Sequence, residues 1–280
     1  MQEDIRRELE RIRALLTTPP SDFKTEVLRG NIPGATVMFG MGERESISTG
    51  TAGEDLWRGN ELSATPSAPT SHVLIPTPAA GGEQMTVISE SAQDASGGTG
   101  AASILITYID SAGAERTTPL ILNGQTAVDL TPADVKFVQS MNVTTLGSTN
   151  TSGVGAGHIR IYQKADAGLV YNMIAAGGNM SLVPHRMVPA GKTLYLQSWN
   201  ASEGNNKRLR IRIRADATLA GVVQPGVPLF RGSVYVNQST SGDMPLGVCL
   251  PAGTVVKVSG WATVGNGEAA TYWWGYLVDD

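Results

Sequence analysis

Cysteine is nearly absent from this chain. A single Cys249 in 280 residues excludes an internal disulfide and a cysteine-built metal cluster, and it leaves the redox compartment unread. Neither staple is needed, because a chain of this length can bury one large or two ordinary cores. Charge is also scarce: 16% of residues are Asp, Glu, Lys or Arg, against about a quarter in most globular proteins. The net charge is −4, and so neutral a surface suits a bound part of a larger assembly. The three histidines, His72, His158 and His185, stand apart from one another with no H-x-H or H-x-x-x-H spacing, so no metal site is expected. No run approaches the roughly 18 apolar residues of a membrane helix. Acids and bases alternate through the first thirteen residues, which excludes the apolar core of a signal peptide. A soluble chain without a membrane partner is expected.

Catalytic motifs are missing in the same way. There is no G-x-S-x-G nucleophile elbow. Gly191-Lys192-Thr193 imitates the end of a phosphate-binding loop, but Arg186 occupies the place of its first glycine and a strand-like T-L-Y-L-Q follows where a helix is required. Acids are sparse in the strand-rich regions, so no carboxylate pair for glycoside cleavage stands out. The expectation is a non-enzymatic protein with no cofactor.

What is present is turn-rich and β-rich, with 33 glycines and abundant Ser and Thr. Residues 1–18 read as a short helix: Ile5, Leu9, Ile12 and Leu16 are spaced to form one apolar stripe, flanked by Glu3/Arg7 and Glu8/Arg11. Two heptads are marginal alone, so this stripe is expected to meet partner chains or a host surface. Pro19 and Pro20 end it. Residues 19–60 show no clear periodicity and read as an extended arm or linker.

Strand signals then recur over 61–165 and again over 166–280, predicting two antiparallel β-sandwich, jelly-roll-like domains. Within the first, Asn123-Gly124 signals a hairpin between P-L-I-L and T-A-V-D-L. Thr131-Pro132 can cap and open one short helix through Val138. The second is punctuated twice by the same turn, V-P-A-G-K-T at 188–193 and L-P-A-G-T-V at 250–255.

The most conspicuous stretch is K-R-L-R-I-R-I-R-A at 207–215, with five basic residues in nine positions. Strand alternation turns Leu209, Ile211 and Ile213 inward and leaves Arg208, Arg210, Arg212 and Arg214 as an outward ladder. A nucleic-acid reader needs a wider basic field with aromatics between the bases. The aromatics of this sequence cluster elsewhere, at Tyr272, Trp273, Trp274 and Tyr276, so no nucleic-acid partner is expected. The ladder is a candidate subunit interface, since guanidinium groups pair bidentately and are favoured there, or a plain solvated face. Adjacent Trp273 and Trp274 point to opposite faces of a strand, offering one ring to a core and one to a sugar platform.

Several segments, in order, resemble a family of structural proteins from tailed-bacteriophage virions. They are F-K-T-E-V-L-R-G-N-I-P-G, M-F-G-M-G-E-R-E-S-I-S-T-G-T-A-G-E-D-L-W, V-I-S-E-S-A-Q-D-A-S-G-G-T-G-A, L-I-L-N-G-Q-T-A-V, V-P-A-G-K-T-L-Y-L and the closing Y-L-V-D-D. They span most of the chain after residue 22, and their joint order carries the likeness. The family usually shows F-G-R-N where this chain reads F-G-M-G at 39–42. The resemblance implies no enzyme activity and no cofactor. It implies an oligomer, expected to be a trimer, that cements or decorates a capsid or attaches to a tail as a short fibre, within a virion assembled in the host cytoplasm. The alternative is a host-glycan-binding, receptor-binding β-sandwich.

Overall fold

The computed structural model describes residues 23–49, 54–57, 81–219, 222–237, 244–265 and 267–280. The expected N-terminal helix and its stripe of Ile5, Leu9, Ile12 and Leu16 lie outside them. Apart from one short helix, α1 (Phe23–Leu28), the described elements are β-strands, and every strand pair is antiparallel. The chain is mainly β, as its alternating patterns imply.

The strands form four sheets. Sheet I is β1 (Ala35–Ile47), β16 (Gly267–Asp279), β11 (Lys192–Glu203) and β14 (Met244–Leu250), in that order. Sheet II is β10 (Arg186–Met187), β15 (Val255–Ala262), β12 (Leu209–Leu219) and β13 (Val222–Val236), with β2 (Glu54–Asp55) also on the edge of β15. Sheet III is β6 (Val128–Asp129), β3 (Met85–Ser89), β8 (Ile159–Gln163) and β9 (Asp166–Ile174). Sheet IV is β5 (Glu115–Ile121), β4 (Ala101–Asp110) and β7 (Val135–Leu146).

Two cores join these sheets in pairs. Leu194, Leu196, Trp199 and Trp273 of sheet I meet Leu209, Ile211, Ile213, Val256 and Val258 of sheet II. Met85, Val87, Ile159 and Ile161 of sheet III meet Ile104, Ile106, Val138 and Met141 of sheet IV. The second pair is inserted in the first between β2 and β10. The chain leaves along one stretch of the β15 edge, Asp55 opposite Ser259, and returns along the next, Met187 opposite Val255. Trp57 is fully buried against Val170, Met173 and Val183, and Ile109, Phe137, Met187 and Val255 form a further cluster between the pairs.

This nesting differs from the expected division of the chain. Segment 19–60 supplies β1, which pairs with β16 from Ala35–Val278 to Ile47–Gly267. It looked featureless because its inward positions hold Gly40 and Gly42 while Val37, Phe39 and Met41 face outward, the reverse of an ordinary half-buried strand. The glycines are required: a Cβ at Gly40 would lie 2.2 Å from the Pro184 carbonyl and 2.6 Å from the Trp273 indole nitrogen, and one at Gly42 would lie 2.2 Å from the Pro184 ring. The boundary at 165/166 also shifts. β9 returns from β8 as a hairpin, with Gln163 opposite Asp166, so it belongs to the inserted pair.

Two local expectations are corrected in the inserted pair. Asn123-Gly124 does turn the chain, with Gly124 at φ 57° and the Thr126 amide donating to the Asn123 carbonyl at 3.0 Å. The strands it joins, however, go to different sheets, so no hairpin forms. No helix forms at 131–138, where β7 begins at Val135: Val135, Phe137, Gln139 and Met141 are all buried at a spacing of two, and this burial outweighs the Thr-Pro start signal. Buried Asp94 ties the loops of this pair together. Its carboxylate accepts from the Ser89 hydroxyl at 2.5 Å and from the amides of Ala101, Ala156 and Gly157 at 2.7, 2.9 and 2.9 Å.

Candidate interface faces

The arginine strand β12 lies in the middle of sheet II, so its outward side chains meet neighbours from two strands. Leu209, Ile211 and Ile213 are fully buried in the core as the alternation predicts. On the other face, register sets Arg210 between Trp261 of β15 and Tyr235 of β13. The Arg210 guanidinium lies 4.8 Å from the Trp261 ring centre and 5.4 Å from that of Tyr235, with Arg208 5.2 Å from Tyr235 and Arg212 4.8 Å from Trp261. The aromatic faces attract the cations and offset the repulsion among them. A guanidinium held flat on a ring keeps its N–H edge available for an acceptor. Sequence reasoning missed both rings, because Tyr235 and Trp261 are distant along the chain and only the register brings them together.

The four arginines do not share one environment. Arg208 is exposed, and Arg210, Arg212 and Arg214 are half-buried. Arg214 pairs with buried Asp216 at 2.9 Å. It lies opposite Lys257, where the ladder runs into a buried polar cluster. Desolvation raises the Asp216 carboxyl pKa against the pull of Arg214 and Lys257. Asp55 and His185 adjoin, 4.0 Å apart. Burial pushes the His185 pKa down to about 4, so its ring is neutral at pH 7 and this contact is not an ion pair there. Its Nε2 lies 3.1 Å from the Val258 carbonyl and donates to it as the neutral tautomer. Arg186 is also buried, its pKa lowered to about 10 by desolvation, and donates to the carbonyls of Val183 and His185 at 2.8 and 2.7 Å. The structure therefore separates an outer stripe of Arg208, Arg210 and Arg212 from Arg214, which is engaged inside.

The two tryptophans part as expected for adjacent strand residues. Trp273 is fully buried and donates from Nε1 to the Pro184 carbonyl at 2.7 Å, which removes it from any sugar platform. Trp274 lies on the outer face of sheet I, edge-on to Tyr276 at 5.5 Å, with the Lys24 ammonium of α1 4.2 Å above its ring. Phe39 is its cross-strand neighbour, and Phe39, Tyr195 and Tyr272 on this face are 47%, 44% and 37% exposed. Towards its other end lies a depression of about 260 Å³ lined by Met41, Glu43, Leu182, Asn200, Ser202 and Tyr272 among others. Glu45 and Glu268 line an adjoining one with Glu43.

The sequence matches no protein-family model and no curated protein. Among solved structures, the chain is similar to one from the infectious bursal disease virus Gt strain, at 12% identity over 96% of this chain and 78% of that one, with a TM-score of 0.24. It is likewise similar to a chain from infectious bursal virus derived T=1 particles, at 12% identity, 96% and 75% coverage and a TM-score of 0.24. These likenesses are too distant to carry an argument about function.

The remaining sequence candidates are structural. Gly191 turns the chain between β10 and β11, and Lys192 opens β11 paired with Asp279, so this G-K-T does not precede a helix. His158 accepts from the Ala176 amide through Nδ1 at 3.2 Å. His72 lies outside the described residues. Among the described residues no three His, Cys, Asp or Glu side chains converge as metal ligands would.

Proposed function

We propose that this protein is a non-enzymatic structural component of a tailed-phage virion, an oligomeric accessory protein that cements or decorates the capsid or attaches to the tail as a short fibre. The observation that carries the reading is the dressing of the two outer faces of one sheet pair. Sheet II presents guanidinium groups stacked on Tyr235 and Trp261, and sheet I presents exposed Phe39, Tyr195 and Tyr272. Broad aromatic and arginine-rich faces are what protein contacts use. The ordered sequence resemblance to phage virion proteins supports the same reading.

The strand orders add to it. Counted along the chain as first to eighth, β1, β10, β11, β12, β13, β14, β15 and β16 fall into sheets ordered first-eighth-third-sixth and second-seventh-fourth-fifth. We take this as a jelly roll, an architecture used by capsid and lectin domains alike, with the smaller sandwich inserted after its first strand. Its assembly as a trimer belongs to the same proposal.

The test is genetic. Particles produced without the gene should lose this protein's density or fail to complete assembly or adsorption, and the wild-type gene should restore them. Particles indistinguishable in composition, structure and infectivity would overturn the reading. The glycan-binding alternative rests on Trp274 alone, now that Trp273 is internal. Retention of host polysaccharide that disappears in Trp274→Ala would favour it.

A further inference from the structure

The outer faces of the jelly-roll pair differ in charge. On sheet II, Arg208 and Arg210 have no carboxylate partner among the described residues, and the Arg210 Nε is buried without a hydrogen-bond acceptor. On sheet I, the end of the face beyond Tyr272 carries Glu43, Glu45 and Glu268 around two adjoining depressions, with the buried Arg44 also lining the smaller one. The larger holds what an arginine now finds on sheet II, a tyrosine wall, and adds the Glu43 carboxylate and the Asn200 side chain. A carboxylate at the edge of a guanidinium stacked on an aromatic ring is a strong, geometrically specific pairing.

We propose that the arginine–aromatic face of one copy docks on the acidic end of the sheet I face of a second copy, Arg208 entering the depression beside Tyr272 and Glu43. The two patches are different surfaces of the same chain, so the contact is head to tail. Repetition then closes a ring or runs on as a chain, unlike a two-fold dimer in which one patch meets itself. The inference rests on the oligomeric part of the function proposed above and is independent of where on a particle the protein sits.

Sedimentation of the purified full chain tests it with two variants, Arg208→Glu/Arg210→Glu and Glu43→Lys/Glu268→Lys. Each variant alone should sediment as a monomer while keeping the wild-type melting temperature within a few degrees. An equimolar mixture of the two should reassemble beyond the monomer, because every contact between unlike molecules joins either two unchanged patches or two reversed ones. Combining all four charge reversals in one chain should restore the wild-type assembly. Monomeric wild type, assembly unchanged in either variant, or a mixture that stays monomeric would each overturn the proposal. Should one variant misfold, the other decides when sedimented alone: loss of assembly supports the contact and unchanged assembly overturns it. A particle that lacks the protein while the purified chain assembles as described would fault the virion reading alone.

Discussion

Replacing Gly40 by alanine adds one methyl group and should destabilise the outer sheet pair severely. The new Cβ would lie 2.2 Å from the Pro184 carbonyl oxygen, 2.6 Å from Trp273 Nε1 and 2.8 Å from Trp273 Cε2. Trp273 is fully buried and donates to that same carbonyl at 2.7 Å, so the ring cannot shift without giving up its hydrogen bond. Overpacking of this kind costs about 1–3 kcal/mol. Leaving a buried N–H and carbonyl unpaired costs about 1–3 kcal/mol more. The sum, roughly 2–6 kcal/mol, corresponds to a fall in melting temperature of roughly 5–15 °C for a domain of this size. Urea unfolding followed by tryptophan fluorescence reads it out, with Gly97→Ala as control, since a Cβ there meets nothing within 4 Å. Equal stability of Gly40→Ala and Gly97→Ala would refute the placement of β1 against Trp273, and with it the nesting of one sheet pair in the other.

Three further outcomes follow from the same structure. Asp94→Ala strands three backbone amides and a hydroxyl in the inserted pair and should cost at least about 3 kcal/mol, measured by urea unfolding; a loss below about 1 kcal/mol would contradict the network. His185 has a folded pKa of about 4, below its ordinary value of 6.5, so between these values the unfolded chain binds the extra proton. Stability should fall as pH drops from 6.5 towards 4, by on the order of 3 kcal/mol, and be fully present above 6.5. His185→Gln should flatten this slope in melts across that window, and an unchanged slope would place the titration elsewhere. Direct DNA retention on filters at low salt should be weak and insensitive to Arg210→Glu/Arg212→Glu, whereas tight retention that falls steeply with salt and is lost in that variant would reassign the arginine face to nucleic acid.

How much was legible can be told from individual strands. The alternation of β12 holds from Arg208 to Ile213, so Leu209, Ile211 and Ile213 read as core and the arginines as outer face, and the structure agrees except at Arg214, which is drawn into a buried polar cluster. β1 is hard to see in the sequence because Gly40 and Gly42 take the middle of its inward face, between core residues Met38 and Ile47, and interrupt the hydrophobic pattern there. The helix expected at 131–138 rested on a local start signal, whereas Val135, Phe137 and Met141 are buried by a sheet whose other strands are distant in sequence. The same limit hid Tyr235 and Trp261 from the arginines: their proximity is a matter of register, which no single strand encodes. Nesting is harder still to read, because strand signals look alike whether consecutive strands belong to one core or two.

Quantitative mass spectrometry of density-purified virions decides whether this protein is built into the particle. A structural component should be present at a constant copy number relative to the major capsid protein, in a multiple of its oligomer, and should survive high-salt washing. Absence from purified particles, or a copy number that falls away with each wash, would exclude a structural role in the virion.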